Sequence, residues 1–366
     1  MVDWKKKDSN APFIISGPCS AETPEQLLET ATRLKSLGRV DLLRAGIWKP
    51  RTRPDSFEGV GEEGLAWLAE VGRDLQLPVT TEVASAEHVE LALKHEVDVL
   101  WIGARTTVNP FSVQSIADAL KGVDIPVMIK NPINPDMNLW VGAVERIRQA
   151  GIEDIVTIHR GFSFYGDSPY RNKPMWEIPI AMKTWFPDIP MFCDPSHICG
   201  RRDLLRTIAQ RALDLGFEGL MIESHRAPDE AWSDAAQQVT PENLGELLQS
   251  LQYKSEGSLD PLLTDNLAKL RNQIDEIDDE ILRLIARRME VAESIGEHKK
   301  EHDLMILQLQ RWREIVDSRT ALAKTLGLSK DFIAKYLEQI HKESIRKQAK
   351  VMNKDEHGED RTSILW

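Results

Sequence analysis

The sequence predicts a closed parallel α/β barrel of the (β/α)8 TIM type followed by a smaller all-helical domain, and three observations predict it. Eight short apolar, β-branched runs alternate with helical-period segments between residues 12 and 252. Every run ends in or beside a polar or charged residue, as expected where C-terminal strand ends surround one mouth. From Asp265 to His302 the strand pattern gives way to three-four apolar spacing without a proline. A chain of 366 residues suits one barrel-sized domain and one small one.

In order, the strand runs are PFIISG (12–17), DLLRAG (41–46), PVTTEV (78–83), VLWIGA (99–104), PVMIKN (126–131), DIVTIHRG (154–161), IPMFCDPSH (189–197) and GLMIESH (219–225). Amphipathic stretches such as PEQLLETATRLKSL (24–37), ADALKG (117–122) and RDLLRTIAQRALDLG (202–216) lie between them. An open doubly wound sheet normally has fewer strands, so eight such units favour closure. Cys19, Ser20, Arg44, Glu82, Arg105, Lys130, Arg160, His197 and Glu223 mark the strand ends and should share one pocket.

The loop RAGIWKPRTRPDSFEG (44–59) sets Arg44, Lys49, Arg51 and Arg53 among glycines and prolines. Arginine forks bind phosphate or carboxylate through two parallel bonds, so this loop suits a doubly anionic ligand. A solvated loop of surface ion pairs is the alternative, and the recurrence of cations at the other strand ends weighs against it. Cys19, His197, Glu223 and Asp234 combine a thiolate, an imidazole and two carboxylates. That set suits a divalent transition ion, manganese ahead of iron, cobalt or zinc, better than magnesium. Cys193 reads as a buried strand residue and Cys199 as a helix-start residue. Gly59, Gly61 and Gly64 spell GxGxxG after a polar loop rather than a strand, which argues against a dinucleotide site.

A net charge of -12 argues against nucleic acid or an anionic membrane as partner. The charged first ten residues lack the apolar core of a signal peptide, and no apolar run approaches membrane-spanning length. A cytoplasmic protein is expected, with three cysteines too few for a disulfide framework.

A linker, YKSEGSLDPLL (253–263), separates the barrel domain (1–252) from a helical domain (264–351) and a charged tail (352–366). Leu267, Leu270, Ile274, Ile277, Ile281, Leu284 and Ile295 make the stripe of the long helix, and shorter helices follow at about 306–326 and 330–350. Arg271, Arg288 and Lys299 lie on or beside that stripe, and on the third helix Ile333, Leu337 and Ile340 continue to Ser344 and Gln348. Cations on a core-facing stripe call for an anion, which predicts a polar pocket inside the bundle. His88, His95, His298 and His341 read as surface residues.

GPCS (17–20), RAGIWKPRT (44–52), IGART (102–106), IKNP (129–132), HRG (159–161), DPSH (194–197), IESH (222–225) and SDAAQQ (233–238) resemble 3-deoxy-D-arabino-heptulosonate 7-phosphate (DAHP) synthase. The resemblance is to the subgroup similar to 3-deoxy-manno-octulosonate 8-phosphate synthase, and KPRT is the element that separates the two activities. It implies condensation of phosphoenolpyruvate with erythrose 4-phosphate. Arg105 and Arg160 would then hold the phosphoenolpyruvate phosphate, with Lys130 bridging phosphate and carboxylate and Arg44 and Lys49 at the carboxylate. Arg51 and Thr52 would take the erythrose phosphate, Glu82, taken as lying beside Lys130, would position the attacking water, and Cys19, His197, Glu223 and Asp234 would bind the metal.

LRNQIDEIDDEILRLIARRMEVAESIGEHKK (270–300) and IHKESIRKQ (340–348) resemble the all-helical chorismate mutases. That resemblance implies a homodimer through the helical domain in which Arg271 of a partner and Arg288 grip carboxylates. Arg311 would line the pocket, and Lys299 and Gln348 would address the ether oxygen of chorismate. Several relatives place two acidic residues where this chain has Gln308 and Trp312; Gln308 can still accept a hydrogen bond, whereas Trp312 cannot replace a carboxylate. Together the resemblances imply a bifunctional shikimate-pathway enzyme whose synthase is inhibited by prephenate or chorismate through the helical domain. A noncatalytic sensor or dimerisation module on the same barrel is the alternative.

Overall fold

A computed structural model describes Trp4 and residues 11–49, 57–253 and 261–353. It falls into two compact units, Met1–Glu256 and Gly257–Trp366. In the first, eight parallel strands close in sequential order: β1 (Phe13–Gly17), β2 (Leu42–Arg44), β3 (Val79–Val83), β4 (Val99–Ile102), β5 (Val127–Lys130), β6 (Ile155–His159), β7 (Met191–Cys193) and β8 (Gly219–Glu223). The closing seam pairs β1 with β8, placing Gly17 opposite Glu223. Each of the eight predicted runs contains one strand, because strands covered on both faces read as continuous apolar text.

Around the strands lie α1 (Pro24–Ser36), α2 (Glu62–Leu75), α3 (Ala86–Lys94), the one-turn α4 (Ala104–Thr107), α5 (Pro110–Ala119), α6 (Met137–Gln149), α7 (Glu177–Trp185), the short α8 (Pro195–Cys199), α9 (Leu205–Asp214) and α10 (Pro241–Ser250). Local chemistry starts many of them. Thr23, Asn109, Asp194 and Thr240 each accept a backbone N–H through the side chain, and a proline follows where its missing donor costs nothing. The stretch 117–122 proves to hold only the last turn and exit of α5, which Asn109 and Pro110 begin. Cys199 ends α8 rather than starting a helix, since Asp194 caps that helix five residues earlier.

Strand alternation divides the core. Outward residues such as Ile14, Leu43 and Ile129 pack under the helices, while Phe13, Ile15, Trp101, Met128, Ile158, Phe192 and Met221 form a separate interior cluster. Trp4 joins that cluster, its ring 5.0 Å from Phe13 and 5.9 Å from Phe192. Its indole N–H donates to Asp154. Trp140, fully buried, donates its indole N–H to Ile129 O at 3.2 Å, so its bulk is buried without an unpaired donor.

The second unit holds α11 (Pro261–Glu301), α12 (Leu309–Thr325) and α13 (Lys330–Met352). The long helix begins inside the segment 253–263 expected to be linker, because a proline is tolerated in a first helical turn. At 41 residues it spans about 60 Å. Its C-terminal half packs against α13, with Gly296 letting the Gln348 backbone approach and Glu293 pairing with Lys347 at 2.7 Å. Its N-terminal half exposes Leu267, Leu270, Ile274, Ile277, Ile281 and Leu284 by 41–64%. No helix among the described residues is long and apolar enough to cross a membrane. The tail beyond residue 353 lies outside the described residues.

Candidate functional site

The strand ends of the barrel meet in a buried cluster of charges. β1 ends in Gly17, where a Cβ would stand 2.0 Å from Arg44 O, so only glycine lets β2 come this close. Arg44 closes β2 with 1% exposure, its Nη2 lying 3.1 Å from Glu223 Oε1 and its guanidinium 4.9 Å from the centre of the Trp101 ring. Arg44 Nε and Nη1 are buried without a hydrogen-bond partner among the described residues. Buried donors on a cation are costly to leave unmatched, and an anionic ligand would satisfy them.

Lys49 Nζ donates to Cys19 O and lies 3.0 Å from Cys19 Sγ. Lys130 Nζ donates to Asp194 Oδ2 at 2.8 Å; burial holds this lysine below its ordinary value against the pull of Asp194. Arg160 is pulled to about 10 by burial, with Asp194 opposing and Arg171 and Arg105 adding their repulsion. Arg105 stands exposed on α4.

Glu82 does not lie beside Lys130. β4 runs between their strands, and Trp101 of β4 fills the gap, donating its indole N–H to Glu82 Oε2 at 3.0 Å while its face meets Lys130 Nζ at 5.6 Å. Arg51 and Thr52 lie outside the described residues.

Donor atoms of Cys19, Glu223 and Asp234 all lie within 4.8 Å of one another. His197 stands at the edge of this group, Nε2 3.7 Å from Glu223 Oε1 and Nδ1 2.7 Å from Asp194 Oδ2. Burial pushes the Cys19 thiol up to about 11, Glu223 adding to it and Lys49 opposing. Burial also raises Asp234 and Glu223, yet Arg171 and His197 hold the first, and His197 and Arg44 the second, below their ordinary values. Burial lowers His197 in spite of Asp194, whose carboxylate pulls the other way. Two carboxylates, an imidazole and a thiol, with Glu223 Oε1 buried and without a hydrogen bond, fit a divalent transition ion.

Asp194 was missed by sequence reasoning as a site residue. Its Oδ1 caps α8 by accepting His197 N–H at 3.0 Å, while Oδ2 faces Lys130 and His197. Burial alone would raise its carboxyl; His197 and Lys130 hold it well below the carboxylate range. Asp followed by Pro reads as a helix start, which hid the second role. Asn131, accepting Arg160 N–H at 2.7 Å, and Arg171, donating to Asp234 Oδ1 at 3.0 Å, carry no comparable sequence signal.

In the helical unit, Lys299 Nζ donates to Gln348 Oε1 at 3.0 Å and to Ile306 O at 2.6 Å. Arg288 Nη1 donates to Ser344 Oγ at 2.5 Å. His341, Ser344 and Gln348 follow i, i+3, i+7 spacing and share one face of α13. His341 is no surface residue: Trp312 stacks on it at 3.9 Å, and its Nε2 is buried without a partner among the described residues. His88 likewise stacks on Trp48, at 3.9 Å, so an imidazole here serves as a flat packing surface. Arg271, Gln308 and Arg311 are exposed; Arg311 pairs with Glu314 at 3.1 Å, and Gln308 sits at the start of α12.

Residues 5–258 match the model of the DAHP synthetase I family, and residues 270–349 that of chorismate mutase type II. A phospho-2-dehydro-3-deoxyheptonate aldolase of Thermotoga maritima is 34% identical over 239 residues, covering 65% of this chain and 68% of that protein. A 2-dehydro-3-deoxyphosphooctonate aldolase of Methylibium petroleiphilum is 30% identical over 267 residues, covering 65% and 88%. The crystal structure of the T. maritima DAHP synthase aligns with a TM-score of 0.58 at 31% identity, over 66% of this chain and 68% of that one. A truncated form of 3-deoxy-D-arabino-heptulosonate 7-phosphate synthase from the same organism gives 0.57 at 29%, over 66% and 85%.

Asp194→Asn removes the only charge hydrogen-bonded to buried Lys130 among the described residues and should cost about 3–5 kcal/mol, the usual penalty for breaking one side of a buried pair. Chemical denaturation at neutral pH measures it; a loss under about 1 kcal/mol would mean that the pairing compensates nothing.

Burial, Arg288 and Lys299 hold His341 below its ordinary value, so the unfolded chain takes up its proton first as pH falls through about 6.5. Stability of the helical unit should therefore drop from pH 7.5 to 5.5, and His341→Asn should shrink that drop. Urea melts of both chains at the two pH values decide it, equal drops meaning that His341 titrates as freely folded as unfolded.

Proposed function

The chain belongs to the DAHP synthetase I family and carries a chorismate mutase type II domain, and on that footing we propose that its barrel condenses phosphoenolpyruvate with erythrose 4-phosphate while its helical unit converts chorismate to prephenate. Two enzymatic activities thus share one polypeptide. The observation that carries the barrel assignment is the meeting of Arg44, Lys49, Lys130 and Arg160 with Cys19, Glu223 and Asp234 at one mouth.

Arg160, Arg105 and Lys130 hold the phosphate of phosphoenolpyruvate, and Arg44 and Lys49 its carboxylate. Arg51 and Thr52 take the phosphate of the aldose. Cys19, His197, Glu223 and Asp234 hold a divalent transition ion, manganese first, whose Lewis acidity would polarise the aldehyde. Fixed cations neutralise and orient both anionic substrates, so the enol carbon meets the aldehyde carbon without further reorganisation. Glu82, fixed by the Trp101 indole, orients the water that adds at the carbon from which phosphate departs.

The mutase reaction is a pericyclic rearrangement that needs no covalent catalyst. Arg288 and the partner's Arg271 grip the two carboxylates, Arg311 lines the pocket, and Lys299 and Gln348 donate to the breaking ether bond. Gln308 is left as the remaining hydrogen-bonding group near the substrate hydroxyl, where Trp312 offers only a ring. The exposed stripe from Leu267 to Leu284 supports a homodimer through α11, which would also bring the partner's Arg271 to the pocket. Three unpaired cysteines fit a reducing, cytoplasmic setting.

Two assays test the assignment on the same purified chain. Chelator should abolish DAHP formation and manganese restore it, whereas Cys19→Ala should resist restoration. Lys299→Ala should slow chorismate loss about a hundredfold or more and spare DAHP formation. Full synthase activity without metal sinks the metal role, and surviving mutase activity in the lysine variant favours a noncatalytic sensor.

Pairing an early step with a late one on one chain also supports feedback, with prephenate or chorismate in the helical pocket as inhibitor of the synthase. Prephenate should then inhibit DAHP formation by the intact chain, and Arg288→Ala should move the curve to higher concentration. Superimposable curves would mean that the pocket does not regulate the barrel.

A further inference from the structure

We infer that the tandem glutamines Gln237 and Gln238 are positioning residues that hold the donors of the barrel's cation site in place from behind. The inference rests on the reading of Cys19, Glu223 and Asp234 as cation ligands given above. Both glutamines end the SDAAQQ segment, and both are buried, at 1% and 0% exposure.

Gln237 bridges two groups that a lone carboxylate pair could not bridge. Its Nε2 donates to Glu223 Oε2 at 2.6 Å, and its Oε1 accepts from Arg171 Nη1 at 2.8 Å. The same Arg171 nitrogen donates to Asp234 Oδ1 at 3.0 Å. One amide and one guanidinium therefore tie the two carboxylates together. Reversing the amide would set its oxygen against Glu223 and its nitrogen against Arg171, so its orientation is fixed. With Oε2 occupied, Glu223 presents to a cation its Oε1, which carries no hydrogen bond and faces Arg44 Nη2 at 3.1 Å.

Gln238 does the same for the third donor. Its Oε1 accepts the backbone N–H of Cys19 at 2.9 Å, and its Nε2 donates to the carbonyl of Ser233, the residue before Asp234, at 2.8 Å. Asp234 itself sits at φ 51°, in the left-handed region that Asp adopts more readily than most side chains. Without such restraint, like charges on Glu223 and Asp234 would drive the two carboxylates apart. Partners of this kind set ligand orientation, and losing one typically weakens metal affinity about 10–100-fold.

The test is a titration of the full-length, chelator-stripped chain with Mn2+ alone, read by the electron paramagnetic resonance signal of the free ion. Gln237→Met keeps the volume without the amide, and Gln237→Asn is one methylene too short to span both partners. Both should bind Mn2+ more weakly, Gln237→Met by about 10–100-fold, with the metal-free melting temperature close to that of the parent chain. If the Met variant fails to fold, the Asn variant decides. Parental Mn2+ affinity in the folded variants overturns the inference and leaves the cation site standing. A lower metal-free melting temperature with unchanged affinity also overturns it, assigning the glutamines to folding alone. No Mn2+ binding by the parent chain, or parental binding by Cys19→Ala, overturns the site reading and the inference with it.

Discussion

Everything at the barrel mouth depends on one ion pair, Arg44 with Glu223, reaching across the end of β1. The two residues sit on the strands that flank β1, at 1% and 0% side-chain exposure. Between them β1 ends in Gly17, whose missing side chain lets the β2 backbone at Arg44 approach. Removing either charge would strand the other in low dielectric, so the pair constrains the seam at which the barrel closes. It also joins two groups of side chains: Arg44 belongs to the cations of the mouth, and Glu223 to the cluster of Cys19 and Asp234.

Buried charge at this density is tolerable only because signs alternate. Asp194 stands between Lys130 and His197, Asp234 beside Arg171, and Glu82 under the Trp101 indole. The aromatic ring is part of the same economy, since Arg44 and Lys130 both lie against Trp101 and regain from its face part of what they lose in hydration. The helical unit is built on the opposite principle. Its core is small, grouped around Ala323, Ile333 and Leu337, and the first half of its longest helix buries almost nothing. Most helical stability comes from packing an apolar face, and the first half of this 41-residue helix leaves its stripe exposed.

The eight strands and the identity of their terminal residues were legible because barrel geometry writes itself along the chain: apolar text, then one polar residue, repeated. Helix starts were legible where a cap and a proline coincide, and the start of α5 was overlooked although Asn109 and Pro110 supply both. Residues that act through another were not legible. Asp194 looks like a cap, Gln237 and Gln238 look like loop polarity, and Arg171 has no pattern at all; their roles exist only in pairings across the fold. His88 and His341 were misread for a different reason. Imidazole is polar on paper and flat in space, and each was placed by a neighbouring indole rather than by water.

The shared pair also orders events at the mouth. A cation held by Glu223 would draw that carboxylate away from Arg44, and Arg44 would then carry an uncompensated charge together with two donors that already lack partners. An anion arriving at Arg44 would relieve that cost, and by linkage it would favour the cation to the same extent.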